Sequence, residues 1–373
     1  MAAKPPAGRR PPSTAVRRHP ASPAGRRPPS SFALRLVKWQ RTHGRHGLPW
    51  QHTRDPYRIW LSEVMLQQTQ VATVIPYYER FLADFPNVGA LAAAPVQRVL
   101  EHWSGLGYYR RAHHLHAAAQ AVVAQFAGVF PTDADTLARL PGVGRSTAAA
   151  IAVFASGSRE AILDGNVKRV LARHRGIAGF PSAAKVEAQL WQVADALLPA
   201  RDVEAYTQAL MDLGATLCTR TRPNCAACPV AGDCVAFNQH RLDELPSPRP
   251  RKALPHRVLR VLLIEHGGEI LFERRPPLGI WGGLWSLPEL PLEADVRAAV
   301  KARFAAEVTV RDELPPIAHA FTHFTLTLHP QRVSARRWPT RAETPGTIWL
   351  APADARGAAL PAPIKTLLRT LER

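Results

Sequence analysis

The chain has 373 residues, enough for two ordinary cores, and its 48 Lys+Arg against 29 Asp+Glu give a formal charge of +19 and a sequence pI near 10.8. That excess points to a polyanionic partner, most simply nucleic acid, whose phosphates release counterions on binding; a soluble protein with a basic tail is the plainer alternative. No apolar run reaches the roughly 18–20 residues of a membrane span. No apolar segment follows the N-terminus as in a secretory signal, and all four cysteines fall between Cys218 and Cys234, so neither a membrane protein nor a disulfide scaffold is expected.

Residues 1–31 hold seven Lys/Arg, eight prolines and no acid, the first acid of the chain being Asp55. This segment has too little apolar surface to offset the entropy of ordering, so it reads as a disordered basic tail adding non-specific phosphate affinity. An organelle transit peptide is also arginine-rich and acid-poor, but proline at this density disfavours its amphipathic helix, and organelle targeting is not expected.

From Ser31 to about Asn238 the patterns are helical. In YRIWLSEVMLQQTQVATVIPYYERFL, Trp60, Leu61, Val64, Val71, Val74 and Ile75 recur at three, four and seven, the apolar stripe of one helix. Glu63 stands beside that stripe. Periodicity alone makes it a solvated helix residue; burial beside Trp60, Leu61, Val64, Met65 and Leu66 would raise its pKa. Further short helical patterns, parted by Gly, Pro and Asp, make residues 32–238 an all-α domain.

Within that domain, LPGVGRST carries Gly142 and Gly144 into an alanine-rich helix. The glycines permit backbone geometry closed to other residues, and the helix start offers unpaired N–H groups and a positive dipole end, together a seat for phosphate; an ordinary helix–turn–helix is the alternative. In ILDGNVKRVLAR, Asp164 is a natural N-cap for a helix with Val167, Val170 and Leu171 on one face. It is either a cap and nothing more, or a carboxylate kept ionised by backbone N–H groups and suited to facing a developing cation. Cys218, Cys225, Cys228 and Cys234 follow as C-x6-C-x2-C-x5-C, four thiolates that mean a metal site, with zinc and a cubane cluster both open on ligand chemistry.

The composition then shifts. Residues 239–254 are rich in proline and arginine and read as a linker. Beyond it RVLRVLLIEHGGEILFERR reads as two strands about a Gly-Gly turn, HAFTHFTLTLHP alternates like a strand, and DVRAAVKARFAAE and APIKTLLRTLE look helical, so residues 255–373 form a smaller α+β domain.

LPGVGRST with the downstream LDGNVKR and the cysteine array resembles the helix-hairpin-helix DNA glycosylases that include endonuclease III. The resemblance implies a [4Fe–4S] cluster on Cys218, Cys225, Cys228 and Cys234, in the loop 218–234, serving structure and DNA engagement rather than bond breaking. Arg220 and Arg222 would project from that loop toward phosphate; otherwise they are a solvated charge pair. Bifunctional members carry a nucleophilic lysine where this chain has Ser146, and serine cannot form the imine that leads to strand cleavage. With Glu63 in SEVMLQQTQV, the chain therefore resembles the monofunctional adenine branch, the MutY family, acting on adenine opposite 8-oxoguanine or guanine in duplex DNA.

That resemblance assigns the roles. Adenine must be protonated as the sugar becomes cationic, which needs one neutral carboxylic acid and one carboxylate. Glu63 is the acid and later activates water; Asp164 stabilises or captures the cation, and Asn166 supports it. Gln67 and Gln68, just beyond Leu66, resemble the wedge into the emptied duplex, with Leu66 also expected at the DNA; Tyr108 resembles the residue stacking beside 8-oxoguanine, and Trp50 a wall of the adenine pocket. Gly142, Gly144 and Ser146 belong to the DNA-binding hairpin, and Lys168 is expected at a phosphate. The second domain resembles a Nudix-like fold lacking the glutamates for diphosphate hydrolysis. Its Phe321-Thr322-His323 matches a family Phe-Ser-His loop that touches 8-oxoguanine, with stiffer Thr replacing Ser. A cytoplasmic, nucleoid-associated bacterial monomer is implied, with repair or replication proteins docking on the linker. A bifunctional glycosylase/lyase for oxidised pyrimidines and a non-catalytic DNA-binding module are the competing readings.

Overall fold

The computed structural model describes residues 31–249, 253–277, 279–339 and 346–371, so the basic tail up to residue 30 lies outside the described residues. The helical region runs α1 (Ser31–His43), α2 (Pro56–Leu66), α3 (Val71–Asp84), α4 (Val88–Ala93), α5 (Val96–Trp103) and α6 (Arg110–Phe126). It continues with α7 (Ala134–Leu137), α8 (Arg145–Ser156), α9 (Gly165–Arg175), α10 (Ala184–Leu197), α11 (Val203–Thr216) and α12 (Val235–Asn238).

The expected single helix through Glu63 is two. The spacing of three, four and seven holds across residues 67–70, but the polar run Gln67-Gln68-Thr69-Gln70 ends α2, with Gln68 at φ 60° in the left-handed region. Trp60, Leu61 and Val64 therefore belong to α2, and Val71, Val74 and Ile75 to α3.

Two apolar cores divide the helices, one built on α2, α3, α5 and α6, the other on α1, α9, α10 and α11. The alanine-rich α8 lies between them, giving Ala148, Ile151 and Ala152 to the first and Ala149, Ala150 and Val153 to the second. Small side chains let both halves approach one helix closely.

The second region runs β1 (His256–His266), β2 (Glu269–Arg274), β3 (Trp285–Ser286), β4 (Glu289–Leu290), α13 (Val296–Phe304) and β5 (Glu307–Glu313). It ends with β6 (Ile317–Ala320), β7 (Thr325–Arg337), β8 (Thr347–Leu350), α14 (Pro352–Ala355) and α15 (Ala362–Thr370). The sheet order is β3-β2-β1-β7-β5, with β4 on β1, β6 on β7 and β8 on β2; β1 and β7 run parallel and the other pairs antiparallel. The β1–β2 hairpin about Gly267-Gly268 matches expectation. HAFTHFTLTLHP is not one strand, since β6 and β7 fold back on each other around residues 321–324.

The linker reading needs a similar correction for its first part. Leu245 is buried against Cys234 and Ala236, and its carbonyl accepts from Arg173 Nε at 2.7 Å, so residues 239–249 pack on the cysteine region. The two regions also share one apolar cluster, which includes Leu100 and Trp103 from the helices and Leu263, Phe272 and Trp281 from the sheet region.

Candidate active site

A cleft of about 530 Å³ opens where the two helical cores meet, walled by Trp50, Glu63, Leu66, Phe154, Gln208 and Met211 among others. Glu63 reaches it from α2. That helix starts on Asp55, whose carboxylate accepts the Tyr57 N–H at 2.9 Å, with Pro56 in the first turn. Trp60, Leu61, Val64 and Met65 are buried in the core, while Ile59, Ser62, Glu63 and Leu66 line the cleft. Burial first, and then the charge of Asp164, push the Glu63 carboxyl up to about 7.

Asp164 caps α9: its Oδ1 accepts the Val167 N–H at 2.7 Å and its Oδ2 meets Asn166 Nδ2 at 3.5 Å. Burial nevertheless pushes its carboxyl up, outweighing the Val167 N–H, Arg169 and Asn166, which all favour the anion. The cap alone was expected to keep Asp164 ionised; desolvation is the larger effect. Burial raises both carboxyls and the Asp164 charge raises Glu63 further, so the two titrate as a linked pair.

Behind this pair stands a second layer. Arg169 Nη2 donates to Asn166 Oδ1 and to the Gly214 carbonyl, both at 2.8 Å, and its Nε to the Cys218 carbonyl at 2.7 Å. A Cβ on Gly214 would lie 2.6 Å from Asn166 Cβ, so only glycine lets α11 approach α9 here. Ser146 is turned inward: its Oγ accepts the Leu163 N–H at 2.9 Å, fixing the residue before Asp164 rather than facing DNA.

The remaining expected DNA contacts separate into two groups. Gln68 and Tyr108 are exposed, Gly142 and Gly144 lie on an exposed turn, and nothing stands within 4 Å of a Cβ built on Gly144, which is the cap position of α8 with no side-chain cap. Arg220 and Arg222 are exposed as well. Gln67 instead reaches Thr147 Oγ1 at 3.5 Å, Leu66 lines the cleft, and Lys168 Nζ is engaged by Glu187 Oε1 at 2.9 Å with only 16% of its side chain exposed. Lys168 is thus neither a free surface lysine nor an open phosphate contact.

Phe321 to His323 form the turn between β6 and β7. Phe321 stacks on Phe324 at 4.4 Å between ring centroids and packs against Trp281 and His319, which leaves Thr322 and His323 exposed. The Thr322 Oγ1 lies 3.4 Å from the Tyr108 hydroxyl, although 214 residues separate them. Two residues singled out separately in the sequence therefore meet across the two regions.

Residues 61–196 match the helix-hairpin-helix superfamily of base excision DNA repair proteins, and residues 260–370 match the NUDIX domain. The adenine DNA glycosylase of Buchnera aphidicola subsp. Acyrthosiphon pisum is 31% identical over 346 residues, spanning 92% of this chain and 98% of that protein. That of Mus musculus is 34% identical over 403 residues, spanning 92% and 78%. This chain belongs to the adenine DNA glycosylase family. A thermostable thymine-DNA glycosylase of known structure is also similar, 28% identical with a TM-score of 0.51, covering 56% of this chain and 95% of its own.

In this glycosylase all four cysteines line one small cavity together with Leu217, Ala231, Phe237 and Leu242. Among the described residues no three His, Cys, Asp or Glu are grouped as ligands of a single ion. The donor set still suits a cationic group: the Cys225, Cys228 and Cys234 thiols are raised by burial and by one another, Cys228 to about 11. Backbone N–H groups of Val230, Ala236 and Phe237 point at Cys228 and Cys234, and Arg173 Nη1 lies 3.5 Å from Cys218 Sγ.

One further buried acid stands behind the glycosylase cleft. Asp212 is fully buried; it accepts Arg45 Nε at 2.7 Å, the Arg45 N–H at 2.8 Å and Gln208 Nε2 at 2.8 Å. Arg45 and Gln208 line the cleft. A single acid inside ALMDLGA was the available signal.

Proposed function

We propose that this adenine DNA glycosylase excises adenine lying opposite 8-oxoguanine or guanine in duplex DNA, by hydrolysis and without strand cleavage. The observation that carries the reading is Glu63 in the cleft wall, its carboxyl raised to about 7 by burial and by the charge of the neighbouring Asp164, whose own carboxylate is held by the Val167 N–H. Adenine extruded into the cleft accepts the Glu63 proton as the glycosidic bond lengthens, which makes the base a neutral leaving group. Asp164, held by Val167 N–H and steadied by Asn166, stabilises the cation on the sugar or bonds to it transiently, so that configuration is retained. Glu63, now anionic, takes a proton from the incoming water. No amine is available at position 146, and the Ser146 hydroxyl is engaged with Leu163 N–H, in keeping with simple hydrolysis.

Gln67, Gln68 and Leu66 are assigned to the duplex beside the extruded base, and the Gly142–Gly144 turn with Arg220 and Arg222 to phosphate. Tyr108 with Phe321, Thr322 and His323 is assigned to 8-oxoguanine, a reading supported by the Tyr108–Thr322 approach. Cys218, Cys225, Cys228 and Cys234 are assigned to a [4Fe–4S] cluster, a reading that rests on the resemblance of their spacing and is supported by the four thiols lining one small cavity. Held by these four thiolates, such a cluster would fix the loop that carries Arg220 and Arg222. The enzyme is taken to work as a cytoplasmic monomer on nucleoid DNA.

The test is incubation with duplexes carrying adenine opposite 8-oxoguanine, or thymine glycol, followed by alkali or not. The reading requires nicking of the adenine strand after alkali only. Borohydride trapping on the pyrimidine lesion, or tight binding without turnover, would sink it.

A further inference from the structure

We propose that Arg111 is a positioning residue that locks the turn carrying Gln67 and Gln68 to the turn carrying Tyr108, so that wedging the duplex and reading the opposite base occur as one event. This rests on the roles assigned above to Gln68 and Tyr108. Arg111 lies in the first turn of α6, and its guanidinium spans both turns. Toward the end of α2, Nη1 donates to the carbonyls of Val64, Met65 and Gln67 at 2.9, 2.8 and 2.6 Å, and Nη2 donates to Thr69 Oγ1 at 3.1 Å. Toward the other turn, Nη2 donates to the Leu106 and Gly107 carbonyls at 3.3 and 3.2 Å. The guanidinium carbon also stands 5.2 Å from the Trp103 ring centroid and 5.7 Å from that of Tyr108.

Two features separate this from routine packing. Both turns contain a non-glycine residue in the left-handed region, Gln68 at φ 60° and Tyr108 at φ 48°, and both of these residues face solvent. Such conformations persist only where surrounding contacts over-determine them, and Arg111 supplies contacts to both. Its partners, moreover, are all carbonyl or hydroxyl oxygens. Burial pushes the guanidinium down to about 10, while the carbonyls at the negative end of α2 hold the charge in place. The two terminal nitrogens of the planar fork, set apart by the guanidinium, each serve three of these acceptors while Nε makes no bond, a spread across two turns that the single nitrogen of a lysine ammonium cannot reproduce.

The test is single-turnover excision of adenine opposite 8-oxoguanine and opposite guanine by the full chain, wild type and Arg111→Lys, with the Tm of each. A misplacement near 1 Å costs roughly 100-fold, and only the lesion duplex uses both turns. The expected result is a loss of roughly 100-fold on the 8-oxoguanine duplex and under roughly tenfold on the guanine duplex, any fall in Tm being common to both assays. Equal losses on the two duplexes, as a merely structural role gives, or no loss on either, overturn the proposal. Arg111→Met removes every bond and is expected to level the two rates further; should it fail to fold, Arg111→Lys decides. A wild-type enzyme that treats both duplexes alike contradicts the lesion assignment instead. In that case 2-aminopurine in place of adenine reads base extrusion, and the coupling stands only if Arg111→Lys slows the fluorescence rise at unchanged duplex affinity.

Discussion

Glu63 sits where an ionised carboxyl costs stability. Its pKa rises from 4.5 to about 7 in the folded chain, so the folded state binds the proton more tightly than the unfolded one. Folding stability is therefore lost as pH climbs from about 4.5 through 7, by about 3 kcal/mol in full. Glu63→Gln, which cannot protonate adenine, is expected to abolish excision while keeping duplex binding. In urea titrations at pH 5 and pH 8, its stability relative to wild type should improve by about 2–3 kcal/mol at the higher pH; an unchanged gap would mean Glu63 is not buried as described. Ser146 makes a contrasting prediction. Ser146→Ala leaves the Leu163 N–H without its acceptor, at a cost of about 1–3 kcal/mol measurable by the same titrations, and should also slow excision because Leu163 precedes Asp164.

The approach of α9 to α11 governs how Asn166 is held. In Gly214→Ala the new methyl would stand 2.6 Å from Asn166 Cβ. Overpacking of this kind costs about 1–3 kcal/mol, whereas displacing Asn166 and Asp164 by about 1 Å should cost roughly 100-fold in single-turnover rate. A variant with wild-type rate and lowered Tm would show that Asn166 does not position Asp164. Elements of this kind differ in how far a sequence reveals them. The Asp164 cap was legible because capping is local, and so was the β1–β2 hairpin about its glycine pair. The break between α2 and α3 was not, because the helical spacing continues in phase across the polar run. Lys168 read as open to solvent because its partner Glu187 belongs to α10. The Arg45–Asp212 pair joins residues 167 apart, and no local pattern announces such a contact.

Across the whole molecule, the helical and sheet regions meet through the apolar cluster that holds Trp103 and Trp281, through His113 Nε2 on the Gly282 carbonyl at 3.0 Å, and through the Tyr108–Thr322 approach. Truncation near Leu254 would expose that cluster, so it should lower Tm as well as preference for 8-oxoguanine. Thr322→Val keeps the shape and removes the hydroxyl; it should narrow the ratio of excision rates opposite 8-oxoguanine and guanine without moving Tm, and an unchanged ratio would assign lesion reading elsewhere. The formal charge of +19 implies in turn that duplex affinity falls linearly with log salt. The central claim, however, is the division of work between Glu63 and Asp164. It is tested most directly by the pH dependence of single-turnover adenine release from a duplex with adenine opposite 8-oxoguanine, for wild type and Glu63→Gln, scoring strand integrity before and after alkali. The predicted result is a wild-type rate that falls as pH rises through about 7, no release by Glu63→Gln, and breakage only after alkali. Release by Glu63→Gln at the wild-type rate, or a strand nicked without alkali, would contradict it.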